Sequence, residues 1–126
     1  MKSNMLPAVE LAGAILVFAA ASPALAHHSA AAYDYTKTET AVGTIKTFRF
    51  ASPHCAMVVA VKRADGKVTE LFITSAAPMV YARQGFKSED FKAGDKLSLT
   101  WHPGRNDESA GVVVSMTLKN GRTFKE

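Results

Sequence analysis

The stretch Cys55–Ile73, CAMVVAVKRADGKVTELFI, decides the fold class of this chain. Its first part, Cys55–Val61, is a nearly continuous apolar run, which is typical of a central β-strand. Asp65-Gly66 separates this run from a second strand-forming segment, Val68–Ile73. Asp-Gly between two apolar runs is a strong signal for a tight hairpin turn in which both central residues have positive φ. The sequence therefore predicts two antiparallel strands at this point.

Strand signals continue on both sides of this hairpin. Ala41–Phe50 is rich in β-branched and aromatic residues, and Gly43 is predicted to form a bulge in it. Two later segments alternate apolar and polar residues, which predicts strands with one face on the core. The residues predicted to face the core are Leu97, Leu99, Trp101, Val112, Val114 and Met116. Asn120-Gly121 predicts a second hairpin turn, followed by a short closing strand at Arg122–Phe124.

One short helix is predicted between the third and fourth strands, at Ala76–Gln84. Ser75 is expected to cap it, Pro78 suits its first turn, and Gly85 suits the position after its end. Three strands, a helix and two further strands are the order of the OB-fold, a small and partly open Greek-key barrel. The sequence thus predicts a mainly β, OB-fold-like barrel of five to six strands over residues 41–126. A small β-sandwich is the alternative.

The start of the chain has the order of a secretory signal peptide over residues 1–26. A basic start with Lys2 precedes the apolar run Leu11–Ala21, and Ala24-Leu25-Ala26 supplies the small residues of a cleavage site. The apolar run is shorter than the ~20 residues of a membrane span, which disfavours an uncleaved anchor. We therefore expect a periplasmic or secreted protein with no membrane span after cleavage. Residues 27–40 form a polar N-terminal arm with no clear period.

Composition and motifs exclude few functions, but they argue against nucleic-acid binding and against an enzyme. The formal net charge is +4, with the Lys and Arg residues spread along the chain, and export makes nucleic acid an improbable partner. Neither a Gly-x-Ser-x-Gly nor a His-Glu-x-x-His motif is present, so we do not expect an enzyme. Cys55 is the only cysteine, which rules out an internal disulfide. We expect it to be a buried apolar residue, with a thiolate metal ligand as the alternative.

Several short motifs, in their order and spacing, carry a likeness to a known family. They are His27-His28-Ser29, Gly43-Thr44-Ile45, Phe48-Arg49-Phe50, Pro53-His54, Pro78, Arg83-Gln84-Gly85-Phe86, Lys92-Ala93-Gly94-Asp95 and Gly121. With them the chain resembles an uncharacterised family of small exported bacterial proteins, known as a domain of unknown function. The resemblance covers essentially the whole mature domain. It implies export and a β-rich fold, and it implies no activity.

Histidines are the one chemical lead toward a metal. Cleavage after Ala26 would make His27 the N-terminal residue, whose amine and ring could chelate one Cu(II) together, as in the histidine brace that this pattern resembles. His54 and His102 lie beside prolines, in the loops that flank the ligand-binding face of an OB-fold. They could complete a copper site with His27. The first strand is expected to start at the opposite end of the barrel, so the arm would have to extend to reach them.

Two functions remain open at this point. The first is a non-enzymatic binding or accessory module that recognises an unknown protein or small ligand through the loop end of the barrel. The second is a copper-binding protein that uses His27, His54 and His102. The aromatic residues on the predicted strands, such as Phe72 and Trp101, are expected to pack in the core, although a stacking surface would use the same residue types.

Overall fold

The computed structural model describes residues 31–126, and these contain six strands and two short helices. The hairpin at the centre consists of β2 and β3, and the long strand β1 pairs with β2 on its other side. The strands are β1 (Glu39–Arg49), β2 (Ala56–Lys62), β3 (Val68–Thr74), β4 (Lys96–Pro103), β5 (Ala110–Leu118) and β6 (Thr123–Lys125). The helices are α1 (Pro78–Arg83) and a single 3-10 turn (Ser88–Asp90).

The sheet closes into a barrel. Its strands follow the order β3-β2-β1-β4-β5-β6, and a parallel contact between β3 and β5 joins the two sides. Five strands thus form a closed ring, while β6 extends the sheet along β5. The predicted OB-fold-like barrel with one short helix is confirmed, and the sandwich alternative is wrong. The strands form a barrel and not a sandwich because β3 pairs with β5 as well as with β2, so the described strands do not divide into two separate sheets.

The core fills the inside of this ring and continues beneath α1. Alternate residues of β4 are buried, as predicted for Leu97, Leu99 and Trp101. A second group consists of aromatic rings that pack around Tyr81 of α1, among them Phe48, Phe50, Phe91 and Phe124. Phe72, by contrast, is 54% exposed on β3, so the expectation that it packs in the core is wrong.

The prediction for β5 was right for Met116 and wrong for Val112 and Val114. Val113 is the buried residue in this half of the strand, and Val112 and Val114 are half-buried. The register explains the difference, because Thr100 pairs with Ser115 while Trp101 pairs with Val113. Val114 is therefore an extra residue in a β-bulge, which moves the residues before it to the opposite face.

A second bulge lies in β1, but not at Gly43. The register shifts between Ile45 and Thr47, which leaves Lys46 as the extra residue. Gly43 instead lies where β2 approaches closely, and a β-carbon there would collide with side-chain atoms of Val59 and Val61. Glycine suits this position because β2 approaches so closely. Its backbone angles are not the reason, because φ at Gly43 is not positive.

The β2–β3 turn differs in type from the prediction. Gly66 has φ of +84°, but Asp65 has negative φ, and Arg63 and Lys67 close a loop of three residues. Such a loop is a type I turn followed by one residue in the left-handed region, so only one positive φ is required. The Asp65 carboxylate accepts a hydrogen bond from the Lys67 N–H at 2.9 Å, which stabilises this conformation.

Helix α1 ends as predicted and begins differently. Gly85 has φ of +79°, and the Phe86 N–H donates to the Tyr81 carbonyl, as in a Schellman motif. The N-cap is Ala77, and it makes no side-chain hydrogen bond. Ser75 therefore does not cap the helix. It is buried, and its Oγ lies 2.6 Å from the Tyr81 hydroxyl, which would otherwise lack a partner in the core.

Candidate functional site

A cavity of about 300 Å³ lies between the N-terminal arm and the outer face of the barrel. Its lining residues are Tyr33, Tyr35, His54, Thr74, Ser75, Val112 and Glu126. They come from the arm, from the loop before β2, from the end of β3, from β5 and from the residue after β6. Five separate parts of the chain therefore meet at this one place.

Strand pairing explains why these parts meet. His102 of β4 pairs with Val112 of β5, Val112 pairs with Thr74 of β3, and Thr74 pairs with Ala56 of β2. At ~4.8 Å for each step between strands, this row spans about 14 Å of the barrel surface. His54 precedes Ala56 by two residues, so both histidines lie at the same end of the barrel, as expected from the order of the strands.

The expected position of the arm relative to that end was wrong. Glu39, the first residue of β1, pairs with Trp101, so β1 begins beside His102. Antiparallel pairing between β1 and β4 causes this, because the start of one strand must lie at the end of the other. The arm therefore reaches the barrel at the end where the histidines lie.

Backbone hydrogen bonds attach the arm to the end of β4 and to the segment that follows it. The Asp34 N–H donates to the Pro103 carbonyl at 2.8 Å, and the Arg105 N–H donates to the Ala32 carbonyl at 2.8 Å. Between them, Tyr33 forms an antiparallel bridge with Gly104. The Tyr33 hydroxyl crosses to β3 and donates to Thr74 Oγ1 at 3.1 Å, so this ring spans the face of the barrel.

His102 takes part in the same attachment. Its Nδ1 lies 2.6 Å from the Lys37 carbonyl, which can only accept, so Nδ1 carries the proton and Nε2 is left for other partners. The ring centroids of His102 and Tyr35 are 5.1 Å apart. His102 is therefore next to a wall of the cavity, while the cavity itself is lined by His54.

A polar chain runs from the cavity into the core. Ser75 Oγ contacts the Tyr81 hydroxyl on one side and lies 3.5 Å from Glu126 Oε2 on the other. Desolvation raises the pKa of the Glu126 carboxyl, although hydrogen bonds from Ala76 and Ser75 and the charge of His54 oppose the shift. Burial likewise raises the pKa of the Tyr81 hydroxyl. Glu126 is therefore a carboxyl group for which a nearby positive charge would be favourable.

Cys55 lies behind His54 and points away from solvent. It is fully buried, as predicted, and desolvation raises the pKa of its thiol. Its backbone extends the β2–β3 pairing, since its N–H donates to the Ala76 carbonyl and its carbonyl accepts from the Ser75 N–H. This pairing also holds Ser75 in place behind the cavity.

The remaining sequence-predicted metal ligand, His27, and its neighbour His28 lie outside the described residues, as does the expected signal peptide. Within residues 31–126, no three His, Cys, Asp or Glu side chains are grouped closely enough to hold a metal ion. No helix in that same range has the length and apolar character needed to cross a membrane.

Comparison with known proteins places the chain in a family. The family model described as "Family of unknown function (DUF6152)" matches residues 14–115. This chain belongs to DUF6152. No curated protein and no solved structure matches it. The DUF6152 match includes the arm and both histidine-proline pairs, and it takes in every residue that lines the cavity except Glu126.

Sequence reasoning found His54 but missed most of the cavity. Tyr33 and Tyr35 belong to the polar arm, in which the sequence shows no clear period, and Glu126 carried no signal at all. Ser75 was assigned to helix capping. The spacing of the two tyrosines, two residues apart as on one face of an extended segment, was the one feature that could have indicated a shared role.

Proposed function

We propose that this DUF6152 protein is an exported, non-enzymatic binding module whose small ligand occupies the cavity between the arm and the barrel. The observation that supports it is the convergence of His54, Ser75 and Glu126 on a cavity of about 300 Å³ with tyrosine walls. A concave site with apolar walls and a few convergent polar groups is the usual form of a small-molecule site. Export rests on the signal-like segment at residues 1–26.

The site is organised before a ligand arrives. The Tyr33 hydroxyl is held by Thr74, and Ser75 is fixed by Tyr81, so neither needs to be ordered on binding. Because ordering side chains costs binding free energy, a preformed arrangement favours affinity. Tyr35, which is 50% exposed, leaves one wall open to solvent and gives a ligand a way in.

Nuclear magnetic resonance of the processed protein with a library of small cationic, neutral and anionic compounds tests this function. At least one compound is expected to shift the amide signals of Tyr33, Thr74 and Val112 and to leave that of Val42, on a different face, unchanged. Tyr35→Ala should weaken such binding roughly fivefold, since an aromatic wall is lost. Met79→Ala, an exposed change on α1, is the matched control and should bind as the unmodified protein does. Shifts that map elsewhere, or none, would contradict the proposal.

The path of the arm favours copper binding as a second candidate function. His27 lies five residues before Ala32, which precedes the cavity residue Tyr33 and whose carbonyl accepts a hydrogen bond from the Arg105 N–H. A chain of that length can span at most about 18 Å. His54, which lines the cavity with an exposed imidazole, is a suitable second ligand for Cu(II).

We expect processed protein that begins at His27 to bind Cu(II), and His54→Ala to weaken binding about tenfold or more, because a ligand is lost. His28→Ala is the matched control and should have less effect. Copper affinity should fall as the pH is lowered, since protons compete for the imidazole and amine nitrogens. Isothermal titration measures the affinities, after mass spectrometry has established that the chain begins at His27.

An extra N-terminal methionine removes the free amine of His27 and should abolish tight binding. Equal copper affinity in the unmodified protein and in His54→Ala would remove His54 from the site. Only the weak chelation that any N-terminal histidine provides would then remain.

A further inference from the structure

The two tyrosine walls of the cavity form an aromatic corner. The ring planes of Tyr33 and Tyr35 are inclined at 83°, and their centroids are 6.5 Å apart. A cation is attracted to a tyrosine face when it lies within about 6 Å of the ring centroid. Because the two ring planes are nearly perpendicular, a cation in the angle between them can lie within that distance above the faces of both rings.

The charges around the cavity also favour a cationic ligand. Although the chain has 15 Lys and Arg against 11 Asp and Glu, none of the Lys or Arg residues in 31–126 lines the cavity. The one acidic side chain in the described lining is that of Glu126, whose Oε2 lies 3.5 Å from Ser75 Oγ. Among the described residues, the basic side chains therefore all lie outside this lining. An anionic ligand would find no cationic partner in the described lining except a protonated His54.

We propose that the ligand of this cavity is a small organic cation, a substituted ammonium ion that lies in the angle formed by the Tyr33 and Tyr35 rings with Glu126 as its counter-charge. This inference rests on the proposed function, since it names the class of ligand for the same cavity. Val112 supplies an apolar surface for the alkyl groups on the nitrogen. The Thr74 hydroxyl accepts a hydrogen bond from Tyr33, so its own proton is available to a polar substituent of the ligand.

Choline and its uncharged isostere, in which a quaternary carbon replaces the nitrogen, provide the test. The two probes have nearly the same shape and differ in charge, so shape alone cannot favour one of them. With the processed protein, choline is expected to bind about tenfold more tightly than the isostere, because two cation–π contacts and a carboxylate favour the charged probe. Titration followed by nuclear magnetic resonance measures both dissociation constants.

Two variants separate the aromatic and the electrostatic contributions. Tyr35→Leu keeps an apolar wall, so it should weaken choline about fivefold and change the isostere by less than about twofold. Glu126→Gln should likewise weaken choline selectively, because it removes charge while keeping the shape. Met79→Ala should change neither probe, and thermal unfolding of each variant confirms that it is folded.

Equal binding of the two probes would overturn the ammonium inference while leaving the binding function intact. If choline does not bind while other library compounds bind in the cavity, the ammonium inference is likewise overturned and the binding function stands. If no compound binds, both proposals are overturned. Sedimentation with phosphatidylcholine vesicles identifies the source of the ammonium group. Binding to these vesicles but not to phosphatidylglycerol vesicles would indicate a lipid headgroup, and binding of free choline alone would indicate a soluble compound.

Discussion

Replacing Trp101 with alanine is expected to lower the free energy of unfolding by roughly 3–5 kcal/mol. The indole is 1% exposed inside the barrel, where β4 pairs with both β1 and β5, so its removal leaves a cavity that the closed sheet cannot fill. Arg63 also lies over the ring, with its guanidinium carbon 5.9 Å from the ring centroid. Urea denaturation followed by circular dichroism measures the change.

Phe72→Ala is the matched control for this experiment. Phe72 is also an aromatic residue on a strand, but it is 54% exposed on β3. Its removal should therefore cost no more than about 0.5 kcal/mol, as is usual for surface positions. A loss below about 1 kcal/mol for Trp101→Ala would mean that the indole does not fill the barrel as described.

Adding a single methyl group at Gly111 is expected to destabilise the protein by about 1–3 kcal/mol. A β-carbon at this position would lie 2.5 Å from Trp101 Cδ1 and 3.0 Å from Ile73 Cδ1. The same atom would lie 3.2 Å from the carbonyl oxygen of His102, which belongs to a paired strand and cannot move freely. Gly111→Ala therefore forces the largest buried ring of the barrel to shift.

A double-mutant cycle tests whether this collision is the cause. If Trp101 is the main obstacle, Gly111→Ala should cost clearly less in a Trp101→Leu background than in the unmodified protein. The same urea denaturation experiment measures all four proteins. Strictly additive effects would show that the backbone at Gly111, and not the indole, resists the added methyl group.

Much of the fold could be predicted from local patterns in the sequence. The alternation of Leu97, Leu99 and Trp101 and the Gly85 helix end depend on neighbouring residues, and both were found. The bulges at Lys46 and Val114 were not, because one extra residue in a strand is accommodated by its partner strand and leaves no pattern in its own. That single residue was enough to reverse the predicted faces of Val112 and Val113.

The candidate site was less predictable because it depends on contacts between distant segments. His54 was found through its place in a loop of the expected fold. Tyr33 reaches Thr74 across 41 positions of the chain, and Ser75 lies 51 positions from Glu126. Nothing in the arm itself indicates that it folds back on β4, since its attachment uses backbone groups that every residue possesses.

The attachment of the arm gives the folding unit and the proposed binding unit different boundaries. Every strand of the barrel lies within residues 39–126, so a shortened chain starting at Glu39 retains the whole hydrogen-bonded ring. Such a chain would lack both tyrosines and with them two walls of the cavity. We expect such a chain to fold and yet to lose the proposed ligand binding. A boundary drawn where regular structure begins would thus divide the proposed binding unit.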